Sequence, residues 1–467
     1  LAGQKYLLED GDVDYLDLYL EYEQAWGEIH RLLDEQRRFM VKDELWETYM
    51  NNGARFLNAG TSYDFTVYFA YLPANRLELW LTMESDRMAD PIFREFWSER
   101  DVVMEERRLG ENDPDEMLGE AFYSVAFTAC PYKWPVVGWM SDLLTIDRKE
   151  LADYHRRFYA PNNATVVLVG DVDEGEAKKY AKRYFGPIPA QEPVDPIETR
   201  EPEQQGERRV VIEHSANPRL MMGWHKPSYP DPDEIVFDVI TQILSGGRTS
   251  RFYTSIYEEQ ELTAEAPNCF VGPGNRYDNL LVVSAEPRDP HTVEEVEAAI
   301  QAEIERLKTE PVTERELQRI KNQIDAQTIR QLGSNLGIAF QVLMGELYLG
   351  DYRKIFDRYD RIKAVTAEDV MRVADAWLVE KNRTVGWRVQ TGSEDADGEA
   401  GPEVDMQAIQ AFVMSLDPAE RMEIMQQFQS LRTDEERKAF GLEILERAKA
   451  AGFIKDDDGG TEKGESK

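Results

Sequence analysis

Cysteine is nearly absent. Two residues, Cys130 and Cys269, stand in a chain of 467, too few for a disulfide framework or a cysteine-rich zinc site. Isolated in this way, they read as small buried hydrophobes. Histidine is almost as scarce. The five are His30, His155, His214, His225 and His291, and no two are four residues apart. Neither zinc-helix spelling, HExxH or HxxEH, therefore occurs in the chain. No apolar run approaches the roughly 20 residues that cross a bilayer, so no membrane span is expected. The chain opens Leu1-Ala2-Gly3-Gln4, with neither Met nor a signal peptide. Basic residues are in deficit, 54 Lys and Arg against 90 Asp and Glu, a formal charge of −36. Such a surface repels phosphate, which argues against nucleic acid and anionic membranes as partners. Solubility, including in a salty habitat, is the plain reading of the surplus.

What is present is enough to fold. Hydrophobic residues make up 42% and aromatics 10%, which excludes a wholly disordered chain and supports two to four domains. Residues 1–50 read as a charged helical insertion, with Leu16, Trp26, Ile29, Leu32 and Leu33 at amphipathic spacing. The run Asn58-Ala59-Gly60-Thr61-Ser62 followed by Thr66–Tyr71 reads as strand, turn and strand. One helix is expected over about Asn75–Met88 and another after Pro91, opening with Ser98 as N-cap. Ala164–Val172 reads as a nearly continuous apolar strand of a well-covered sheet. Five prolines between 187 and 206 mark a linker at 191–206. Strands follow at 208–212 and 220–224, a helix near 233–244 stopping at Gly246-Gly247, a strand at 280–285 and a long helix from Thr292. The Gly- and acid-rich stretch 391–404 is a second linker, 405–454 a helical extension, and 455–467 a tail too polar to fold.

An internal repeat organises the middle of the chain. Asp147–Leu151 through Asn163–Val166 aligns without gaps on Thr366–Val370 through Asn382–Val385. Each copy opens with a capping residue and an acid three residues on, places Phe158 or Trp377 at the same point, and runs into a strand. Upstream, Ser98–Val102 resembles Thr313–Leu317. Two related domains are therefore expected at 51–190 and 207–390. The fold class is α/β (α+β), each domain a mainly antiparallel sheet packed against helices.

Chemistry concentrates in two places. On the helix after Ser98, the residues Glu99, Val102, Val103 and Glu106 share a stripe, while Glu105 and Arg107 point elsewhere. That places Glu106 on the inward face, where a carboxylate needs a cation; a metal ion and an arginine both meet the need. On the Asn58–Tyr68 strand pair, small Ala59 and Gly60 permit close backbone approach. An ordinary hairpin and an edge that accepts a peptide by strand addition are both consistent with it. Elsewhere the signals are structural. His155 packs on the repeated helix and His225 ends a strand. Gly246-Gly247 lacks phosphate-loop spacing, and Ser250 and Ser255 sit in no nucleophile elbow.

Taken in order, several motifs resemble the pitrilysin/insulinase-type zinc metallopeptidase family, the inverzincins. They are Asn58-Ala59-x-Thr61-Ser62 with Thr66-x-Tyr68, and Glu99-Arg100-Asp101-Val102-Val103-x-x-Glu106. Further along come Pro131-Tyr132 with Pro135-Val136-x-Gly138, Tyr159-x-Pro161-x-Asn163 leading to Val169-Gly170-Asp171, and Leu244-x-Gly246-Gly247-x-x-Ser250-Arg251. The likeness spans roughly 51–390. It implies two homologous domains forming half of a clam-like chamber for unfolded peptides, with a homologous partner subunit or dimer. It implies zinc as cofactor, with Glu106 as the metal-ligating glutamate, Glu99 as the acid that orients a ligand histidine, and Asn58 and Ala59 as the edge that holds substrate backbone. Zinc would then activate water, with the HxxEH glutamate as general base. It also implies a periplasmic, envelope or secreted location. Two departures stand out. The usual separation back from Glu106 lands on Ala25–Ile29, which has no histidine, so the zinc motif is expected upstream of Leu1 and this chain alone is expected to be a poor peptidase. Tyr257 and Ala264 occupy the places of the family's substrate-gripping Arg and Tyr. The alternative function is a non-catalytic chamber subunit that partners a zinc-bearing homologue.

Overall fold

The computed structural model describes residues 15–391, apart from Met40 and Lys42, together with Phe440, Ile444 and Arg447. Apart from those positions, the segments expected at 391–404, 405–454 and 455–467 lie outside the described residues. The expected helical start is seen as α1 (Tyr15–Arg37) and α2 (Glu44–Asn51). A bulged antiparallel hairpin follows, β1 (Arg55–Thr61) with β2 (Thr66–Tyr71), Ala59 opposite Tyr68. Next come α3 (Leu77–Ala89), α4 (Phe96–Asn112) and α5 (Pro114–Ala126). Asp113 caps α5, accepting from the N–H groups of Asp115 and Glu116, with Pro114 in the first turn, where its missing N–H costs nothing. Ser98 is not a cap. Burial of Phe96 draws the helix start three residues earlier, with Glu95 at the N-cap, and the Ser98 hydroxyl donates back to the Glu95 carbonyl at 3.0 Å.

The half closes with α6 (Met140–Thr145), α7 (Arg148–Phe158) and α8 (Glu174–Tyr184). Between α7 and α8 the expected strand 164–172 joins no ladder among the described residues, and Val166 is 45% exposed. An apolar run declares side chains that favour a sheet, but a strand also needs a neighbour for its N–H and C=O groups. The hairpin does not supply one.

The second half is a five-stranded sheet among the described residues, built from β3 (Arg208–His214), β4 (Arg219–Lys226), β5 (Asn268–Gly272), β6 (Asn279–Ala285) and β7 (Arg383–Gln390). The order is β3-β7-β4-β6-β5, parallel for β3 with β7 and antiparallel elsewhere. One face packs on α9 (Val236–Ser245), α10 (Val293–Thr309) and α14 (Ala367–Trp377), joining Leu220, Met222 and Trp224 to Phe237, Ile240, Ile300 and Val373. Around this core run α11 (Glu314–Gln331), α12 (Asn335–Leu349) and α13 (Lys354–Ala364). The molecule is thus mixed α+β, with mainly antiparallel sheets.

The opposite face of this sheet is covered by the first half. Leu118, Phe122 and Ala126 of α5, with Phe127, Cys130 and Tyr132, pack on Met221, Leu280 and Val282. Glycines make the seat. A Cβ on Gly223 of β4 would stand 2.7 Å from the Phe122 ring, and one on Gly386 of β7 would stand 3.2 Å from it. Residues 189–205 between the halves carry neither helix nor strand. They are pinned by Glu201, whose carboxylate accepts from the N–H groups of Thr128, Ala129 and Cys130 at 2.7–2.9 Å.

The repeat is visible in the hydrogen bonds. Asp147 with Glu150, and Thr366 with Asp369, form reciprocal capping boxes at the starts of α7 and α14. At the far ends, Asn163 donates its amide to the Phe158 carbonyl at 2.8 Å and Asn382 to the Trp377 carbonyl at 2.9 Å. The second copy then enters β7; the first enters the unladdered stretch after Asn163.

Candidate functional site: an open edge strand and an acidic helix face

The first strand of the hairpin is exposed along nearly its whole length. In β1 only Leu57 is even half-buried, and Phe56 is 74% exposed at a positive φ of 51° beside the bulge. The strand pairs with β2 on one side and with nothing on the other among the described residues. Asn58 and Ala59 both lie on it and are exposed. The Asn58 side chain accepts from the Ala59 N–H at 2.8 Å. An exposed backbone donor on an edge strand is the group an added strand would take, and here a local amide holds it meanwhile.

β2 is buttressed from behind. The Arg87 guanidinium lies 4.0 Å over the Tyr68 ring, and the Tyr68 hydroxyl meets that of Tyr159 at 2.9 Å. Arg87 is held by Glu84, which also accepts from the Tyr49 hydroxyl at 2.6 Å. The expected surface-or-core residue His155 stacks on Tyr159 with ring centroids 4.7 Å apart. Phe69 packs edge-on against Phe340 of α12, and the Leu336 N–H donates to the Tyr71 hydroxyl at 3.3 Å.

The acidic stripe on α4 does not face inward. Glu99 and Glu106 are exposed and Val102 is 60% exposed. Neither carboxylate has an ion-pair or side-chain hydrogen-bond partner among the described residues. The inward stripe is Phe96, Met104 and Arg107, rotated by about one residue from the expected one. The buried charge on this helix is a cation. Arg107 is 7% exposed, donates to both oxygens of Glu120 on α5 at 2.5 and 3.0 Å and to Glu111 at 3.0 Å, and lies over Trp139. An arginine buried against paired carboxylates satisfies its charge, and that pairing sets the helix rotation. The argument that a buried Glu106 demands a dication therefore falls. What still points to Glu106 and Glu99 is the motif itself.

Among the described residues no three His, Cys, Asp or Glu side chains converge where a metal ion could sit. A catalytic zinc takes three protein ligands, and Glu106 offers one, so the described residues do not by themselves fit the ion. His225 is structural: its Nε2 donates to the Ala126 carbonyl at 3.0 Å, its own carbonyl accepts from Asn382, and burial holds its pKa below the ordinary value. Cys130 and Cys269 are free and buried, and burial raises both thiols. No helix among the described residues is long and apolar enough to cross a membrane.

Sequence reasoning passed over Asp64, in the hairpin turn, and Tyr132. Asp64 accepts from the Tyr132 hydroxyl at 2.6 Å, the Asn275 N–H at 2.7 Å, the Arg276 N–H at 3.1 Å and the Tyr348 hydroxyl at 3.3 Å. The signal for Tyr132 was present, in Pro131-Tyr132. For Asp64 there was little, since a lone acid in a turn looks solvated.

The described architecture is an α+β chain whose two halves share a core. Residues 145–324 match the family described as Peptidase M16 inactive domain. A zinc protease of Helicobacter pylori, PqqE, is 26% identical over 335 residues, covering 70% of this chain and 74% of that protein. A crystal structure of a protease from Helicobacter pylori superposes with a TM-score of 0.70 at 25% identity, covering 74% of this chain and 84% of that one. The first half of the periplasmic protease PqqL from Escherichia coli shares the fold, with a TM-score of 0.61, 17% identity and 83% of each chain covered. The chain is thus similar to M16-type peptidases, by family model over 145–324 and by curated relative over about 70% of its length.

Proposed function

We propose that this chain holds unfolded peptides as an added β-strand along β1, at Asn58 and Ala59, within a zinc-dependent endopeptidase of the M16 type. The observation that carries the reading is the open edge of β1, exposed along nearly its whole length and braced from behind through β2. A peptide laid antiparallel there would displace the Asn58 amide from the Ala59 N–H and gain ladder bonds at little side-chain specificity. Glu106 is proposed as a metal carboxylate and Glu99 as its orienting acid. Their open placement on α4 leaves that face free to meet ligands supplied by other protein. The domains are proposed at 51–190 and 207–390, forming one half of a chamber with a homologous partner; the match in size to the first half of PqqL supports this. A periplasmic or envelope location belongs to the same proposal, PqqL being described as periplasmic.

A second reading, a non-catalytic chamber subunit, is favoured by two observations. The matching family is described as an inactive domain, and the described residues offer no three-ligand metal group. Both readings share the peptide edge. The test uses the protein purified from its native gene, with a photo-crosslinkable extended peptide and metal analysis. Crosslinks mapping to 58–61 support the edge; crosslinks confined elsewhere overturn it. One zinc per chain with peptide cleavage, both lost in Glu106→Gln, selects the peptidase. Peptide binding without zinc selects the subunit.

A further inference from the structure

The hairpin turn is tied to the second half of the chain by a junction that the proposed function does not yet use. At its centre is Tyr132, 3% exposed, in the short turn Pro131–Lys133. Its ring stands edge-on to Tyr63 of the hairpin turn at 5.6 Å, to Phe127 at 5.9 Å and to Tyr277 at 6.1 Å. Its hydroxyl donates to Asp64 and accepts from the N–H groups of Arg276 and Tyr277 at 3.1 and 3.2 Å. Asp64 in turn gathers the Asn275 and Arg276 N–H groups and the Tyr348 hydroxyl of α12. Gly274 lets the loop approach, because a Cβ there would stand 2.4 Å from the Tyr132 ring. All four donors to Asp64 are neutral, and three of them come from the second half. Burial, then the bond to Asp64, raises the Tyr132 phenol, so it remains a donor.

We propose that Asp64, through Tyr132, is the positioning residue of the peptide edge: it fixes the β1–β2 turn to the loop 274–277 and α12, so that β1 meets a peptide in one set orientation relative to the second half. This rests on the reading of β1 as the peptide edge. The physical argument is geometric. A two-stranded hairpin is marginal by itself, and an edge that must present ladder donors in register binds better when held than when it must be ordered on binding. β2 is braced at Tyr68 by Arg87 and Tyr159, but the turn is held by Asp64 and Tyr63. A carboxylate accepting from four donors is the strongest single tie there.

The test compares wild type, Asp64→Asn and Tyr132→Phe in the full chain, by fluorescence anisotropy with a labelled extended peptide and by amide hydrogen exchange. Asp64→Asn keeps the size and removes the charge. The expected result is a roughly tenfold weaker Kd with faster exchange at 58–61 and 66–69, while β4, β6 and β7 keep their protection. Tyr132→Phe should do the same, and the double variant should be little worse than either single one, because both act on one tie. Wild-type affinity and wild-type hairpin exchange in Asp64→Asn would overturn the inference. So would protection lost equally across β4, β6 and β7, which marks a general structural role. If wild type binds no peptide, the reading of β1 fails, while hairpin exchange still reports whether Asp64 holds the turn. Asp64→Glu, with the same charge on a longer arm, should restore part of the affinity if the tie is electrostatic.

Discussion

His225 and Glu201 lie at the seam between the halves, and each ties stability to pH. The His225 ring is buried against Phe127 and already donates from Nε2 to the Ala126 carbonyl. Burial lowers its pKa from the ordinary 6.5. The unfolded chain then takes up a proton that the folded one refuses, so stability falls as pH drops below about 6.5. Glu201 behaves as a depressed carboxylate. Burial alone would raise it, but three backbone N–H groups outweigh that. Its contribution is present above the ordinary glutamate value of 4.5 and is lost as pH falls through its lower folded value. Urea titrations across pH should show stability level near neutrality, sloping below about 6.5 and steepening below about 4.5. His225→Gln, which can still donate to Ala126, should flatten the first slope and leave the second. An unchanged first slope would show that His225 is not its source. The residue scale is also where sequence reading misplaced a charge. On α4, Glu106 and Arg107 are neighbours, and hydropathy rotates the helix the same way for either; only the presence of Glu120 across the contact chose Arg107 for the interior.

At the scale of elements, α5 and the second-half sheet form one unit. Phe122 is fully buried in a slot made by the absent side chains of Gly223 and Gly386. Phe122→Ala should cost about 3–5 kcal/mol. Gly223→Ala should cost about 1–3 kcal/mol, because its methyl would overlap the ring and the close-packed sheet cannot yield much. In the double variant the costs should sum to less than the two singles, since the added methyl enters the space the ring has left. Shifts in urea midpoint at constant slope measure this; strict additivity would mean the slot is not shared. Much at this scale was legible beforehand. The capping boxes at Asp147 and Thr366 and the helix stop at Gly246 are local hydrogen-bond patterns written in a few consecutive residues. The stretch 164–172 was not, because a ladder is a property of two strands and the run shows one.

For the whole molecule, the dominant quantity is a formal charge of −36. A peptide approaching the β1 edge does so in the field of that surplus. Cationic extended peptides should associate faster than acidic ones of equal length, and their association rate should fall as salt is raised from about 0.01 to 0.5 M, where the Debye length shrinks from about 30 Å to a few ångströms. Stopped-flow anisotropy tests this; rates indifferent to both peptide charge and salt would rule out steering. The same field argues that a partner half, if acidic as well, would have to associate through local apolar contact. Val102 and Leu109 on α4, and Trp134, Val136 and Leu144 further along, are exposed apolar side chains of the first half.

Composition and periodicity by themselves determined the fold class, ungapped spacing displayed the repeat, and motif order carried the family resemblance, because each is written in neighbouring residues or in spacing along the chain. They also determined what the chain cannot spell, a histidine pair at zinc-helix spacing. Which way α4 turns, whether 164–172 finds a neighbour, and that Asp64 joins a hairpin to a loop more than 200 residues away were decided only in three dimensions. Those outcomes depend on partners brought together by folding, and a carboxylate's role depends on which donors surround it.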